Sequence, residues 1–228
     1  MRAAVLVNGR VEDYTWLERW IGRADYIVAA NGGLRHCQAL GCTPHVIVGD
    51  LDSAPPELVA HYQGLGSQVE RHPPAKDKTD LELAVERAIR DGATEVTLLG
   101  ALGGRLDQAV ANLMLLARSD WPVPVSLAEA DQVAQVVRDD TTLVLDLPPG
   151  ALVSALPLSQ EVTGITYRGL AYPLEDGTLV RGSTRGVSNA VVEPPITVRV
   201  GRGVLMVVYQ VEIDDVLGEP SRDNRDNR

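Results

Sequence analysis

Short apolar runs alternate with polar turns and with helical periodicity through roughly the first 120 residues of the chain. This alternation predicts a parallel sheet covered by helices, because strands that alternate with amphipathic helices form βαβ units. Every apolar run is followed by Gly or Asn, and ligands of open α/β sheets bind outside the carboxyl ends of the strands. We therefore expect the turns after these strands to form one crevice. The predicted strands cover residues 3–7, 26–30, 45–48 and 96–99.

Two amphipathic helices are predicted beside the later strands. Thr79 is placed to cap the first helix, Glu82 completes a capping box three residues on, and Gly92 ends the helix. The second helix is predicted from about residue 106 to 117, where apolar residues recur at helical spacing. Its apolar face, formed by Val110, Leu113, Leu116 and Ala117, is expected to be buried.

The pattern changes after Trp121-Pro122, where short β-prone runs separated by Pro, Gly and Asp replace helical periodicity. Such runs predict an antiparallel sandwich or a small barrel. The run at 133–137 could belong to either half of the chain. We therefore predict an α/β N-terminal domain with a mainly parallel sheet, followed by an all-β sandwich domain. The predicted bounds are 1–130 and 131–218, with a polar, disordered tail over 219–228.

Composition and charge narrow the possible partners. A formal net charge of −10 argues against a nucleic-acid or anionic-membrane surface, which would need a basic face. No run approaches the roughly 20 apolar residues of a membrane span, and the N-terminus lacks the regions of a signal peptide. Cys37 and Cys42 are too few for a disulfide framework or a zinc site. We expect a cytoplasmic protein that binds neither nucleic acid nor membrane.

Two carboxylates, two residues apart, follow the third predicted strand in the segment Gly49-Asp50-Leu51-Asp52-Ser53. Side chains at positions i and i+2 of a strand end point the same way, so Asp50 and Asp52 can reach one divalent cation. The alternative is an Asx turn, in which the carboxylates bind nearby backbone N–H groups. The preceding glycine and the buried strand favour the metal site.

The segment Lys76-Asp77-Lys78-Thr79-Asp80 lies at the start of the first predicted helix. The helix dipole alone favours Asp77 and Asp80 at this position, but it disfavours the two lysines. Two cations at a helix N-terminus therefore indicate that an anion binds there.

A glycine turn connects a predicted strand to a predicted helix within residues 100–107. The turn lacks the Walker A sequence and a full dinucleotide fingerprint, so the glycines alone are weak support for a nucleotide site. In this position, however, backbone N–H groups can face a phosphate, Arg105 can clamp it and Asp107 can hold Mg2+. The turn Asn31-Gly32-Gly33 repeats the arrangement, and a simple tight turn explains it equally well.

In the second half, Tyr172 and residues 182–189 could be ordinary strand and hairpin features. Taken together and in order, however, the motifs between about residues 3 and 210 resemble the thiamin pyrophosphokinase family. The resemblance rests on five segments in this order: Gly49-Asp-Leu-Asp-Ser, Lys76-Asp-Lys-Thr-Asp, Gly103-Gly-Arg-Leu-Asp-Gln, Gly169-Leu-Ala-Tyr-Pro-Leu and residues 182–189.

The resemblance implies transfer of the pyrophosphoryl group of Mg-ATP to the hydroxyl of thiamine, which gives thiamine diphosphate and AMP. It also implies an α/β catalytic domain, a β-sandwich that binds thiamine, and a homodimer whose thiamine site is completed across the interface. ATP and thiamine are thus the expected partners, and Mg2+ is the expected cofactor. Two alternatives stay open: pyrophosphoryl transfer to another hydroxymethyl heterocycle such as a pterin, and a non-catalytic Mg-nucleotide or thiamine-binding regulator.

The same resemblance implies which residues form the site. The family usually has Asp where this chain has Asn31, so one negative charge is absent, although the amide can hydrogen-bond ATP. Asp80 or Asp77 is expected to orient or deprotonate the thiamine hydroxyl, while Lys76 and Arg105 stabilise developing charge. The catalytic positions are Asp50, Asp52, Asp80 and Asp107, of which Asp50, Asp52 and Asp107 are the expected metal ligands; the ATP-binding positions are Asn31, Lys76, Asp77, Thr79 and Arg105; the thiamine-binding positions are Tyr172, Ser188 and Asn189.

Overall fold

A ten-stranded sheet forms the centre of residues 1–212, the part of the chain that this computed structural model describes. Its first six strands alternate with helices along the chain, as the apolar runs predict. The strands are β1 (Arg2–Leu6), β2 (Tyr26–Ala30), β3 (Val46–Gly49), β4 (Gln68–Arg71), β5 (Glu95–Leu99) and β6 (Val125–Glu129); the helices are α1 (Thr15–Ile21), α2 (Leu34–Leu40), α3 (Pro56–Gly64), α4 (Asp80–Arg90) and α5 (Leu106–Leu115).

The remaining strands belong to the second half of the chain. No helix follows α5 in the described residues, which agrees with the loss of helical periodicity after residue 121. These strands are β7 (Gln132–Arg138), β8 (Thr141–Leu145), β9 (Leu152–Pro157), β10 (Glu161–Arg168), β11 (Leu174–Val180), β12 (Asn189–Ala190), β13 (Ile196–Val200) and β14 (Val204–Gln210).

The strand order of the large sheet determines where a ligand can bind. The order is β12-β9-β14-β7-β6-β5-β1-β2-β3-β4, and every pair from β6 to β4 is parallel. The pairs from β6 to β12 are antiparallel. Strands β2 to β4 extend the sheet on one side of β1, whereas β5 and β6 extend it on the other. The crevice of such a sheet lies at this reversal, next to the carboxyl ends of β1 and β5.

Helices cover both faces of the parallel part of the sheet. Along β1, Ala4 and Leu6 pack with α1, α2 and α3, whereas Ala3 and Val5 pack with α4. This division follows from the alternation of side chains along a strand. The strands are consequently buried on both faces, which explains their continuous apolar runs.

The second sheet packs against the antiparallel end of the first. It contains four strands in the order β11-β10-β13-β8, with antiparallel pairs. Val162 and Ile165 of β10 lie in one hydrophobic cluster with Val153 of β9 and Val207 of β14. The predicted fold class, an α/β domain followed by a β-sandwich, is confirmed. The bounds 1–130 and 131–218 stay predictions, and the tail predicted at 219–228 lies outside the described residues.

The two predicted helices form, but only part of the face predicted to be buried on the second helix is buried: Leu116 is 1% exposed and Leu113 packs against the core, whereas Val110 is exposed. Thr79 caps α4, because its Oγ1 accepts a hydrogen bond from the Glu82 backbone N–H at 3.2 Å. On α5, Val110 is 52% exposed rather than buried, and Leu106 and Met114 on the same side are 79% and 51% exposed. We call these three side chains the α5 stripe. Periodicity identified an apolar face, but it does not reveal whether the same chain covers that face.

Candidate active site

A cavity of about 620 Å³ opens at the carboxyl edge of the parallel sheet. Its walls come from the turns after β1, β2, β3 and β5, from the segment before α4 and from the first turn of α5. The prediction that these turns form one crevice is therefore confirmed. The cavity lies beside β1 and β5, where the strand order reverses, and it has the size typical of small-molecule sites.

Asn31 lies at the centre of a carboxylate cluster beside this cavity. Its Nδ2 donates to Asp50 Oδ1 at 2.9 Å, to Asp52 Oδ1 at 2.9 Å and to Asp80 Oδ2 at 2.8 Å. Its Oδ1 accepts a longer bond, 3.3 Å, from the Ser53 backbone N–H. We call Asn31, Asp50, Asp52 and Asp80 the Asn31 cluster. The fold thus brings together three of the four predicted catalytic carboxylates.

Lys76 supplies the positive charge of this region. Its Nζ lies 2.9 Å from Asp80 Oδ1 and 3.3 Å from Asp50 Oδ2. Burial disfavours the charged ammonium, but the hydrogen bonds to Asp80 and Asp50 outweigh burial and raise the pKa of Lys76. The hydrogen bond from Asn31, with a further one from Ser53, lowers the pKa of Asp52. Both shifts keep the groups charged at neutral pH.

The residue types of the Asn31 cluster suit a hard cation. Carboxylate oxygens are the preferred protein ligands of Mg2+, and three of them surround one atom here. Within residues 1–212, no three His, Cys, Asp or Glu side chains already stand in a metal-binding arrangement. The donor set therefore fits Mg2+ in chemical kind and in charge, while Asn31 and Lys76 currently hold the oxygens.

Unusual backbone conformations hold the cluster together. Asn31 and Leu51 adopt left-handed conformations with φ of 47° and 65°. Leu51 is buried in the core, which stabilises a conformation that a leucine rarely adopts. Gly49 has φ of 148°, and a Cβ there would lie 3.0 Å from Asp80 Cγ and 3.1 Å from Asn31 Cβ. The glycine before the Asp pair thus makes room for the approach of Asp80 to Asn31.

Arg105 and Asp107 lie apart from the Asn31 cluster. Arg105 lines the cavity, and its guanidinium forms two hydrogen bonds with Asp107, at 2.6 and 3.1 Å. This ion pair lowers the pKa of Asp107 and raises that of Arg105, although both side chains are exposed. The structure therefore does not unite Asp107 with the other predicted metal ligands. Of the remaining ATP-binding predictions, Thr79 lines the cavity, whereas Asp77 is exposed to solvent.

Sequence analysis missed the residues that support the loop after β1. Arg35 donates to the Gly9 backbone oxygen at 2.6 Å, and buried His36 holds the same oxygen through Nε2 at 3.0 Å. Tyr14 completes the support, with its hydroxyl 2.8 Å from His36 Nδ1. A Cβ on Gly9 would lie 2.1 Å from the Leu102 oxygen, so only glycine fits. A signal was present in the sequence, because Arg35 and His36 lie two and three residues after the glycine turn at 31–33.

Asn189 organises the second predicted site. Its Oδ1 accepts from the Tyr172 and Ala190 backbone N–H groups, both at 2.9 Å, and its Nδ2 donates to the Tyr172 oxygen at 2.8 Å. The amide is thus used to fix the backbone of Tyr172, whose side chain is 72% exposed. Ser188 is also exposed, with a left-handed φ of 61° and a backbone N–H that donates to Ser154 Oγ.

A smaller cavity, of about 110 Å³, lies beside Tyr172. Tyr167 lines it, and the Tyr167 hydroxyl is buried without a hydrogen-bond partner in the described residues. Burial raises the pKa of Tyr167 to about 12, so the hydroxyl remains a neutral donor. This cavity and the 620 Å³ cavity share no lining residue. Tyr167 gave no sequence signal, because it resembles any aromatic residue of a strand.

Comparison with known proteins decides the family. The model for the catalytic domain of thiamin pyrophosphokinase matches residues 17–124, and the model for its vitamin B1 binding domain matches residues 140–205. The chain belongs to the thiamin pyrophosphokinase family. Both the predicted family and the prediction of an enzyme are therefore confirmed. Membership of the thiamin pyrophosphokinase family supports the formation of thiamine diphosphate by this chain.

Individual relatives agree with this membership. Thiamine pyrophosphokinase of Bacillus subtilis is 24% identical over 173 residues, which cover 75% of this chain and 81% of that protein. Thiamine pyrophosphokinase 1 of Oryza sativa subsp. japonica is 28% identical over 174 residues, which cover 68% of this chain and 62% of that protein. The crystal structure of thiamin pyrophosphokinase from Geobacillus thermodenitrificans has a TM-score of 0.79 at 29% identity, covering 93% of this chain and 98% of that chain.

The family assignment also bears on the predicted partners. The thiamin pyrophosphokinase family has a vitamin B1 binding domain and uses a nucleotide, which agrees with the two small molecules predicted from the sequence. In the described part of the chain, no helix has the length and apolar character to cross a membrane. The cytoplasmic location and the absence of nucleic-acid binding stay predictions.

Proposed function

We propose that the chain transfers the pyrophosphoryl group of Mg-ATP to the hydroxyl of thiamine, giving thiamine diphosphate and AMP. One observation carries the proposal: three carboxylates and Lys76 meet beside a cavity at the reversal of the strand order. Gly103, Gly104 and Arg105 line the same cavity. A hard cation and a polyphosphate together match this combination of charges.

Mg2+ is the proposed cofactor, and Asp50 and Asp52 are its proposed ligands. When bound, Mg2+ would act as a Lewis acid on phosphate oxygens, which neutralises their charge and makes the attacked phosphorus more electrophilic. Asp107 stays the predicted third ligand, but its ion pair with Arg105 must open first. Asp80 contacts the same amide nitrogen as Asp50 and Asp52, so its carboxylate lies beside the proposed Mg2+ site.

The remaining residues have roles on the nucleotide and on the acceptor. Lys76 and Arg105 are proposed to stabilise the charge that develops on the leaving AMP and on the bridging oxygen. Either Asp80 or Asp77 is proposed to orient or deprotonate the thiamine hydroxyl. Asp80 lines the cavity whereas Asp77 is exposed, which favours Asp80. Asn31 and Thr79 are proposed to contact ATP.

The complete enzyme is proposed to be a homodimer with its active sites between the subunits. The cavity beside Tyr172 shares no residue with the cavity beside Asp80, so one chain presents two separate parts of a site. The exposed α5 stripe belongs to a helix that begins in the wall of the larger cavity. A second copy that covers this apolar surface would lie next to the nucleotide, where it can supply Tyr172, Ser188 and Asn189.

The decisive experiment measures AMP release from ATP and Mg2+ with and without thiamine, and identifies the product by mass. Thiamine-dependent AMP together with thiamine diphosphate is the expected result. AMP that appears only with a pterin or another hydroxymethyl heterocycle would redirect the assignment to that acceptor. Binding of ATP and thiamine without any AMP would instead identify a regulator.

Substitution of Tyr167 tests whether the smaller cavity binds thiamine. We propose that the Tyr167 hydroxyl, unpartnered within residues 1–212, bonds thiamine, so replacing Tyr167 by Phe is expected to raise the KM for thiamine about tenfold and to leave kcat nearly unchanged. The melting temperature should stay equal or rise, since this hydroxyl has no partner in the described residues. Steady-state kinetics and thermal unfolding measure both quantities.

Tyr209→Phe is the matched control for this variant. The Tyr209 hydroxyl bonds Gln135 and lines a different cavity, so its removal should lower the melting temperature and leave the KM for thiamine unchanged. An unchanged KM in Tyr167→Phe would show that the Tyr167 hydroxyl does not contact the substrate.

A further inference from the structure

Asn31 Nδ2 has more acceptors than it can satisfy. An amide nitrogen carries two protons, yet three carboxylate oxygens lie 2.8 to 2.9 Å from this one atom. Any two of these oxygens therefore lie within twice 2.9 Å of each other. Three carboxylate oxygens around one atom match a divalent cation in ligand type, although they lie at hydrogen-bond distance and would have to move closer to bind Mg2+, whose Mg–O distances are about 2.1 Å.

The charges around the amide also indicate a cation site. Three carboxylates face one ammonium, that of Lys76, which contacts Asp50 and Asp80. The Asn31 amide has no net charge, so the group retains two uncompensated negative charges. Neutral donors reduce their repulsion only in part: the Asp52 backbone N–H donates to Asp50 at 3.2 Å, and the Ser53 hydroxyl donates to Asp52 at 2.9 Å. One divalent cation would balance the group.

We propose that the Asn31 amide nitrogen takes the place of a divalent cation among Asp50, Asp52 and Asp80 while the site is metal-free, and that the incoming cation displaces it. The inference rests on the proposed function, because that function requires the metal. Asn31 therefore has two opposite effects. It stabilises the carboxylates when they lack a metal, and it lowers their apparent metal affinity because the ion must compete with an internal donor.

The local geometry permits this exchange. Within residues 1–212, the oxygen end of Asn31 is held only by the 3.3 Å bond from Ser53, which is a weak restraint on the amide. The left-handed backbone of Asn31 is one that Asn and Asp both tolerate. An Asn31→Asp substitution consequently keeps the shape and backbone conformation of the residue while it converts the internal donor into a fourth carboxylate.

The test measures thermal unfolding of the full chain, without nucleotide or thiamine, as a function of Mg2+ concentration. Without metal, Asn31→Asp is expected to melt about 5 °C below the parent, because the amide N–H donors to the carboxylates are lost and a like charge is added. The Mg2+ concentration that gives half of the stabilisation should be roughly tenfold lower for Asn31→Asp than for the parent. In the variant no donor competes with the ion, and one more carboxylate holds it.

Three further variants make the result interpretable. The double variant Asn31→Asp with Asp52→Asn exchanges amide and carboxylate at constant charge, and it should recover most of the metal-free melting temperature. Asn31→Ala removes the nitrogen without adding charge; it should also melt lower without metal, and it replaces Asn31→Asp if that variant does not fold. Asp50→Asn should remove most of the Mg2+ effect.

Two results would overturn the inference, and only the second would also overturn the proposed metal site. Suppose Asn31→Asp and Asn31→Ala keep the metal-free melting temperature and Mg2+ midpoint of the parent while Asp50→Asn abolishes the Mg2+ effect. The metal site then stands, and Asn31 has no part in it. If instead Mg2+ shifts the melting temperature of neither the parent nor Asn31→Asp, the metal site of the proposed function fails together with the inference.

Discussion

Replacing Asp50 by Ala is expected to lower kcat/KM for thiamine diphosphate formation by about 10³-fold, the size of effect seen when one preorganised electrostatic contact to a transition state is removed. Asp50 contacts both Asn31 and Lys76, and its side chain is largely buried. Its loss therefore removes a proposed metal ligand and also releases the lysine. Steady-state kinetics with saturating ATP and Mg2+ measure the change.

The isosteric variant Asp50→Asn separates charge from shape. It keeps a side-chain oxygen but removes the negative charge, so most of the activity should still be lost. Raising Mg2+ should restore part of the activity of Asp50→Asn and less of that of Asp50→Ala, because the amide oxygen can still coordinate the ion. If Asp50→Ala folds normally and keeps more than about a tenth of the parent kcat/KM, the Asn31 cluster is not the catalytic metal site.

Two inactive subunits are expected to form an active heterodimer. Asp50→Ala is expected to disable the nucleotide side and Tyr172→Ala the thiamine side; because Tyr172 is 72% exposed, its replacement should leave the fold intact. If each site combines the two sides from different chains, a heterodimer of these variants contains one intact site. It should therefore show about half of the parent activity per dimer, while both homodimers stay nearly inactive. Co-expression with two affinity tags isolates the heterodimer.

A reciprocal heterodimer provides the control. It pairs a parent subunit with a subunit that carries both Asp50→Ala and Tyr172→Ala. With sites shared between chains, each of its two sites receives one defective side, so it should be nearly inactive. If the activities are reversed, with the reciprocal heterodimer half active and the first one inactive, each site lies within a single chain and the proposed interface is wrong.

Local patterns in the amino-acid sequence were sufficient to predict most of the parallel sheet. The runs at 3–7, 26–30, 45–48 and 96–99 correspond to β1, β2, β3 and β5, because strands buried on both faces are continuously apolar. Strand β4 was missed since it is an edge strand with a polar sequence, Gln68–Arg71. The cap at Thr79 was predictable for a related reason: a capping box involves residues three positions apart.

The candidate site was predictable as a set of residues but not as an arrangement. Order along the chain was enough to indicate Asp50, Asp52 and Asp80, and the carboxyl edge of the sheet was enough to indicate one crevice. The pairing of Asp107 with Arg105, rather than with the other carboxylates, was not indicated by the motifs. Nor was the role of Tyr167, whose significance depends on the absence of a partner for its hydroxyl in the described residues.

The residues of the site could be predicted and their contacts could not, and this difference has a physical cause. Hydrophobic period, capping and turn residues depend on neighbours within a few positions, so the linear sequence contains that information directly. Asn31 meets Asp50 and Asp80 across 19 and 49 residues, and the packing of β2, β3 and α4 sets those distances. Exposure of the α5 stripe likewise depends on what packs beside the helix, not on its own spacing. Composition and periodicity therefore specify which elements form, whereas the packing of those elements specifies which side chains meet.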